Sequence, residues 1–338
     1  MRCSGLCWAA APPSWWRARS RRTRWLAWRL PSTPPRRWHD GGDSPRHCLP
    51  GRSPMITRRS LLTTTGVLAG GIAAATLVGC SSEPNIPRPT VSPTGSITDQ
   101  LDQVLKIIAN GSTNFGVYIE DVRSGGTYSF SGDYSSQSAS MAKPMIVAMA
   151  ERKARSDGGT LSAENVDNAT KAITHSDNDA ASALWEYAGY QGYQTLADEL
   201  GMAHTHLDQN KADQWSWTWT TPSDQVLLVK TLATGGSQAL TDAECSFIYD
   251  LMGQVEDDQT WGVGQPKSGT VKVHLKNGWV QFKSTDGLWA VNSMGAVSGD
   301  GRDYRMCVMT RVPDFDTGRA VTSEVGKWVF SILGSGTL

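Results

Sequence analysis

The spacing of apolar residues changes twice along this chain, and that change restricts its possible folds more than any other feature. Apolar residues alternate with polar ones at 115–121, and they do so again in three segments after residue 270, which is typical of β-strands. Between these regions, segments such as 166–174, 180–188 and 221–233 have helical spacing. Strands from both chain ends with helices between them predict an α+β protein, in which an antiparallel sheet carries an inserted all-helical lobe.

Two terminal segments complete the predicted sheet region. Residues 97–109 and 320–333 have apolar residues at helical spacing, so we expect helices that flank the sheet. Residues 299–302 (Gly-Asp-Gly-Arg) predict a hairpin between the last two strands. The cleft between the sheet and the helical lobe is where we expect a ligand site.

Residues 1–54 differ in composition from the rest of the chain. They contain eleven Arg, six Trp and no Lys, without any hydrophobic period. We interpret them as lying outside the native protein, with the true start at Met55. A basic arm that binds nucleic acid or anionic lipid is the alternative, although natural arms usually mix Lys with Arg.

Residues 55–80 have the pattern of an export signal. Arg58 and Arg59 form a twin-arginine pattern, and the apolar run at 66–78 is too short to favour a membrane-spanning helix. The run ends in Leu-Val-Gly-Cys at Cys80, which resembles a bacterial lipobox, whose cysteine is acylated. We therefore expect a lipoprotein anchored to the outer face of the cell membrane. An ordinary signal peptide with a coincidental cysteine is the alternative.

The remainder divides into a Pro/Ser-rich tether at 81–97 and a folded domain at 98–338. Residues 81–338 contain 19 Lys and Arg against 30 Asp and Glu, a net charge of −11. Such an acidic surface argues against nucleic acid as a partner and leaves the acyl chain as the membrane link. We expect a monomer with no cofactor. We also expect no metal, because no Cys/His cluster has zinc spacing. Cys245 and Cys307 lie in apolar patterns typical of buried thiols, with a disulfide between them as the alternative.

Ser140 and Lys143 begin an apolar segment that we expect to be helical. Pro144 is tolerated only in a first turn, and a spacing of three places Ser140 and Lys143 on one helical face. A serine hydroxyl needs an adjacent base to act as a nucleophile, and a lysine can serve if burial and neighbouring positive charge lower its pKa. An isolated pair of this kind is more often an N-cap serine with a solvated lysine.

Two further motifs favour the catalytic interpretation of Ser140 and Lys143 over the N-cap alternative. Residues 176–178 read Ser-Asp-Asn and residues 276–278 read Lys-Asn-Gly. Ser-x-x-Lys, Ser-Asp-Asn and Lys-Thr-Gly, in this order, are the signature of class A β-lactamases and penicillin-binding proteins; here Asn277 replaces the threonine. With Thr-Thr-Pro at 220–222, these motifs make residues 98–335 resemble the serine β-lactamase and penicillin-binding protein superfamily, closest to its class A branch.

The resemblance implies a role for each motif residue. Ser140 would be the acylated nucleophile and Lys143 its activating partner. Ser176 would relay a proton to the leaving group, and Asn178 would bind the amide carbonyl of the substrate. Lys276 would hold the charge of the site and the substrate carboxylate. The other expected substrate-binding residues are Asn277, Gly278 and Trp279, with the backbone N–H groups of Ser140 and Trp279 forming the oxyanion hole.

The chain departs from the class A pattern in the loop before Thr220. In class A enzymes a glutamate of this omega loop activates the deacylating water, but here no glutamate occurs between Glu199 and Glu244. Asp208 or Asp213 could substitute, although aspartate is one methylene shorter. We therefore expect a persistent acyl-enzyme and slow hydrolysis of β-lactams.

Aromatic residues accompany the predicted site. Trp215, Trp217 and Trp219 alternate, which predicts that they share one side of an extended segment. With Trp279 they would form an aromatic rim, and core packing is the alternative. We interpret His175 as structural because a lysine already fills the role of base.

Three functions are compatible with these residues. The one we favour is an exported, lipid-anchored serine hydrolase or acyltransferase, acting on a cell-wall peptide or related amide. A non-catalytic envelope-binding lipoprotein is the second, and a class A β-lactamase with a relocated deacylation base is the third. The expected ligand is in each case a peptide or a β-lactam-like small molecule.

Overall fold

The computed structural model of the protein describes residues 84–338 except 91, 113, 266, 267, 284 and 285. The predictions for residues 1–54, the export signal and Cys80 lie outside the described residues. Within the described part, no helix combines the length and apolar character needed to cross a bilayer.

An antiparallel five-stranded sheet forms from both ends of the domain, as the sequence predicts. The strands are β1 (Phe115–Asp121), β2 (Thr127–Phe130), β3 (Ser136–Gln137), β4 (Trp219–Thr220), β5 (Lys272–Gln281), β6 (Trp289–Gly299) and β7 (Arg302–Val312). Their order in the large sheet is β2-β1-β7-β6-β5, while β3 and β4 pair separately. Strand β5, which carries the third motif, is therefore an edge strand.

The helices divide between the two faces of the sheet. They are α1 (Ile97–Ala109), α2 (Lys143–Ser156), α3 (Ala163–Thr174), α4 (Asn178–Ala188), α5 (Gln191–Glu199), α6 (Pro222–Thr234), α7 (Asp242–Met252) and α8 (Phe315–Leu333). Helices α1 and α8 share one apolar core with the sheet, which includes Leu105, Val117 and Val329. Helices α2–α7 form the inserted lobe, and Met294 and Met309 join its core from the sheet. The predicted α+β arrangement is confirmed.

Helix α8 begins earlier than the sequence predicts, at Phe315. Asp314 caps it by accepting a hydrogen bond from Thr317 N at 2.7 Å. Gly318 in its first turns hides the helical pattern. A Cβ at this position would lie 2.4 Å from Val291 Cβ, so the glycine allows the helix to contact β6 closely.

Cys245 in α7 and Cys307 in β7 are both free thiols, and both are buried. Burial raises the pKa of the Cys307 thiol well above its ordinary value. The alternative of a disulfide between these two residues is therefore wrong, and both act as small apolar side chains in the lobe core.

Candidate active site

The first motif lies where a short 3₁₀ helix, Ala139–Ala142, leads into α2. Lys143 N donates to Ser140 O, so the two motif residues are one turn apart, as predicted. The Ser140 residue is 9% exposed and Lys143 is fully buried. Ala139 has a φ of 49°, a left-handed conformation that is costly for a residue with a Cβ atom. Such strain immediately before a buried serine is typical of functional sites.

The second motif forms the beginning of α4. Asp177 is the N-cap residue, and its carboxylate accepts a hydrogen bond from Ala180 N at 2.8 Å. Ser176 precedes it with a φ of 58°. The aspartate is therefore used by the helix end, whereas Ser176 and Asn178 face the cavity that Ser140 also lines.

Two buried lysines converge on Ser176. Lys143 Nζ donates to Ser176 O at 2.5 Å, to Asn178 Oδ1 at 2.9 Å and to Ser176 Oγ at 3.2 Å. Lys276 Nζ donates to the same Ser176 Oγ at 2.9 Å. No described residue forms a hydrogen bond with Ser140 Oγ, which leaves this hydroxyl open to the cavity. The structure thus brings together the residues predicted from all three motifs.

Burial changes the protonation of both lysines. It lowers the pKa of Lys143 to about 7, and the nearby charge of Asp177 opposes this effect. Burial is also the larger cause that lowers the pKa of Lys276 well below its ordinary value, followed by the charge of Lys143. We expected neighbouring positive charge to lower the pKa of Lys143, but it is the pKa of Lys276 that such a charge lowers. A lysine with a pKa near 7 is partly neutral at neutral pH, and its neutral form can accept a proton.

Gly278 places the third motif directly against the first. A Cβ atom at this position would lie 2.6 Å from Ser138 O, 2.7 Å from Met141 N and 2.9 Å from Ser140 N. Any side chain here would push the edge strand away from Ser140. Trp279, the next residue of β5, lines the cavity. The oxyanion hole formed by the N–H groups of Ser140 and Trp279 stays a prediction, and this close approach favours it.

Asn277 needs a correction. Its Nδ2 donates to Gln259 O at 2.6 Å and weakly to Trp261 O at 3.4 Å, its side chain is buried, and it is not among the described residues that line the cavity. Gln259 Nε2 in turn donates to His175 O at 2.9 Å. Asn277 therefore links β5 to the loop that carries Ser176, and its predicted contact with substrate loses its support.

His175 points away from the cavity, which agrees with the structural interpretation. Its Nδ1 is 2.6 Å from Thr174 Oγ1, and its Nε2 is 3.2 Å from Glu256 Oε1. Within the described part of the chain, no group of three or more His, Cys, Asp or Glu residues is arranged to hold a metal ion.

The cavity that Ser140 and Ser176 line has a volume of about 770 Å³. One wall is a face of α4 that sequence reasoning missed. Ser182, Trp185 and Glu186 follow Asn178 at spacings of four, seven and eight residues, which is the signal that could have identified them. The lining residues are Ser140, Ser176, Asn178, Ser182, Trp185, Glu186, Gly189, Tyr190, Gln191, Asp213, Gln214, Trp215, Ser216, Trp279 and Val280.

Comparison with known families identifies the family of the chain. A profile described as the "Beta-lactamase enzyme family" matches residues 153–333, more than half of the chain. The chain belongs to the beta-lactamase enzyme family. The matched segment contains Ser176 and Lys276, whereas Ser140 and Lys143 precede it.

Solved beta-lactamases share the fold at low sequence identity. A class A beta-lactamase from Bacteroides cellulosilyticus has 16% identity and a TM-score of 0.60, covering 72% of this chain and 100% of its own. A beta-lactamase from Xanthomonas campestris has 18% identity and a TM-score of 0.59, covering 71% and 100%. One from Sphaerobacter thermophilus has 18% identity and a TM-score of 0.55, covering 67% and 95%. The comparison with curated proteins returns no match.

The tryptophan loop of this beta-lactamase family member differs from the sequence prediction. Trp215–Trp217 forms a 3₁₀ turn, so the three tryptophans do not share one side of an extended segment. Trp215 lines the cavity. Trp217 packs edge-on against Phe282 with 5.6 Å between ring centroids, and Trp219 stacks on His206 at 6.2 Å. One of the three belongs to the expected aromatic rim.

The two candidate deacylation bases of this family member occupy different places. Asp208 Oδ2 accepts a hydrogen bond from Trp219 Nε1 at 3.0 Å, which lowers the pKa of the carboxyl. Of the described residues that line the cavity, Asp213 is one and Asp208 is not. Among the described carboxylates, Asp177 is the one whose charge raises the pKa of Lys143. Within the described part of the chain, neither loop aspartate forms a hydrogen bond or an ion pair with Lys143.

Proposed function

We propose that the protein is an exported, lipid-anchored serine hydrolase or acyltransferase that forms an acyl-enzyme on Ser140 and turns over β-lactams slowly. One observation carries this proposal. Ser140 and Ser176 line the same cavity, Lys143 and Lys276 converge on Ser176 Oγ at 3.2 and 2.9 Å, and burial lowers the pKa of Lys143 to about 7. Such an arrangement has an acceptor for the serine proton and a route by which that proton reaches a leaving group.

The acylation step follows from these contacts. Neutral Lys143 accepts the proton of Ser140, and Ser140 Oγ attacks the carbonyl carbon of an amide. The carbonyl oxygen becomes an oxyanion beside the N–H groups of Ser140 and Trp279. When the C–N bond breaks, the leaving nitrogen takes a proton from Ser176 Oγ, and Lys143 replaces that proton. The product is an ester between the acyl group and Ser140.

Two further residues favour a substrate with an amide and a carboxylate. Asn178 Oδ1 accepts from Lys143, which leaves Asn178 Nδ2 to donate to the amide carbonyl of a substrate. Burial and the charge of Lys143 lower the pKa of Lys276. A substrate carboxylate next to Lys276 would oppose both effects and favour its charged form. A cell-wall peptide or a related amide combines these groups.

The loop before Thr220 supports the slow deacylation. Deacylation requires a base that activates water, and the loop presents Trp215 to Lys143, with the ammonium nitrogen 4.9 Å from the ring centroid. A class A β-lactamase with a relocated base is the second candidate, and the position of Asp213 at the cavity favours it.

Export and lipidation rest on residues 55–80. They predict that Cys80→Ser moves the protein from the membrane fraction to the soluble fraction.

A labelling experiment tests the assignment of the nucleophile. The protein is incubated with a fluorescent penicillin, separated under denaturing conditions and scanned for covalent label. We expect label on the wild-type protein and on Ser216→Ala, a control that removes another cavity serine, and none on Ser140→Ala. Equal labelling of Ser140→Ala would remove Ser140 from the mechanism, provided that all three proteins have the same thermal midpoint.

A further inference from the structure

Trp215 occupies the loop side of the catalytic lysine. Lys143 Nζ lies 4.9 Å from the centroid of its ring, and Trp215 lines the same cavity as Ser140. The Trp215 Nε1 group donates to Ser182 Oγ at 3.2 Å. An indole can donate a hydrogen bond but cannot accept a proton from water. At Trp215 the loop therefore places an apolar ring, and not a base, next to Lys143.

The backbone of Trp215 is fixed to the segment that carries the nucleophile. Trp215 O accepts hydrogen bonds from Thr218 Oγ1 at 2.9 Å and from Thr218 N at 3.2 Å. Thr218 Oγ1 is 2.5 Å from Ser138 Oγ, and Thr218 O accepts from Ser138 N at 2.8 Å. Because Ser138 is two residues before Ser140, these hydrogen bonds join the backbone of the tryptophan turn to the segment that carries Ser140.

The residues before Trp215 are fixed to the helical lobe. Trp185 Nε1 donates to Asp213 O at 2.9 Å, and the Trp185 residue is 4% exposed. The indole of Trp215 is itself bonded to α4 through Ser182. Hydrogen bonds on both sides of the turn therefore oppose any movement of the ring away from Lys143.

We propose that Trp215 is a positioning residue that excludes water from the loop side of Ser140 and Lys143, and that it thereby sets the lifetime of the acyl-enzyme. This inference rests on the proposed function. In deacylation, a water oxygen attacks the ester carbonyl, a base takes one water proton, and Ser140 Oγ leaves with a proton. Lys143 can be that base only if water reaches it, and the fixed ring of Trp215 blocks this approach.

The other neighbours of Lys143 remain in place when the indole is removed. Ser176 and Asn178 accept its hydrogen bonds, Lys276 shares Ser176 with it, and the charge of Asp177 acts on it. Among the described residues, none of these four groups forms a hydrogen bond with Trp215, Ser216 or Trp217. Loss of the ring removes the hydrogen bond to Ser182 and the ring contact with Lys143. It also opens Lys143 to water, which favours the charged lysine.

The test compares Trp215→Ala with Trp217→Ala. Both variants remove an indole from the same 3₁₀ turn, but Trp217 packs on Phe282 and is not among the described cavity residues. Each protein is acylated with a penicillin, freed of excess reagent and followed by intact-mass spectrometry at pH 9, which is well above the pKa of Lys143 in the wild-type protein. We expect the acyl-enzyme half-life to fall at least tenfold in Trp215→Ala. We expect it to stay within twofold of wild type in Trp217→Ala, and Trp215→Phe to restore most of it.

A second readout separates this role from general destabilisation. The pH midpoint of acylation should move to higher pH in Trp215→Ala and not in Trp217→Ala, because water then reaches Lys143. An unchanged half-life in Trp215→Ala, or equal shortening in both alanine variants, would overturn the inference. Failure of wild-type acylation would instead contradict the proposed function, so the two failures are distinguishable.

Discussion

The rate of acylation should follow the protonation of Lys143. Burial lowers the pKa of this lysine to about 7 from an ordinary value of 10.5. The neutral, base-competent fraction is then about 10% at pH 6 and about 90% at pH 8, whereas an unshifted lysine would be about 0.3% neutral at pH 8. If neutral Lys143 takes the proton of Ser140, the acylation rate should rise about tenfold from pH 6 to pH 8 and change little above pH 8.

The assay is stopped-flow or quenched-flow acylation by a penicillin across pH 5.5–10, with buffers matched in ionic strength. Lys143→Arg is the matched variant, because arginine keeps the charge and does not lose its proton in this range. We expect this variant to acylate about 10²- to 10⁴-fold more slowly, without the rise near pH 7. A wild-type rate that continues to rise tenfold per pH unit up to pH 10 would refute the lowered pKa. A flat profile from pH 6 to pH 10 would refute Lys143 as the base.

Three further predictions follow from the same site. Gly278→Ala should abolish penicillin labelling and lower the free energy of unfolding by about 1–3 kcal/mol, because its Cβ would overlap the backbone beside Ser140; labelling at the wild-type rate would contradict this contact. Between pH 7 and 10.5 the unfolded chain binds more protons at Lys143 than the folded protein does, so the free energy of unfolding rises with pH. Lys143→Met should remove this cost and raise the free energy of unfolding at pH 7 by up to about 4 kcal/mol. Chemical denaturation of the wild-type protein and Lys143→Met at pH 7 and pH 10 measures this gain in the free energy of unfolding. An equal gain at the two pH values would contradict the prediction. Asp213→Asn should leave the acyl-enzyme half-life within twofold of wild type by intact mass, and a half-life several-fold longer would make Asp213 the deacylation base.

The main elements and the three motifs could be predicted from sequence because their signals are local. The 3.6-residue and two-residue periods located the helices and strands, and positive φ angles at Asp300 and Gly301 give the predicted hairpin its turn. The motif order then predicted that Ser140, Ser176 and Lys276 meet. These three residues can lie close together only if both ends of the domain join one sheet. The two-residue periods near both ends of the domain predicted such a sheet.

The remaining errors concern side-chain direction, which depends on tertiary contacts. The Asn277 amide bonds to Gln259 O, and nothing near Asn277 in the sequence indicates that partner. The tryptophan alternation implied an extended segment, but hydrogen bonds from Thr218 to Trp215 O close a tight turn. Burial, which cannot be read from one motif, determines the pKa of Lys143 more than neighbouring charge does.

The central claim is a persistent acyl-enzyme on Ser140. The most direct measurement is the intact mass of the protein over several hours after a short incubation with penicillin, followed by peptide mapping of the modified residue. We predict one penicilloyl adduct per chain, mapped to the peptide that contains Ser140 and still present after hours. An adduct on another residue, or no adduct on the folded protein, would contradict the assignment of Ser140. An adduct that disappears within minutes while penicillin is hydrolysed would contradict its persistence.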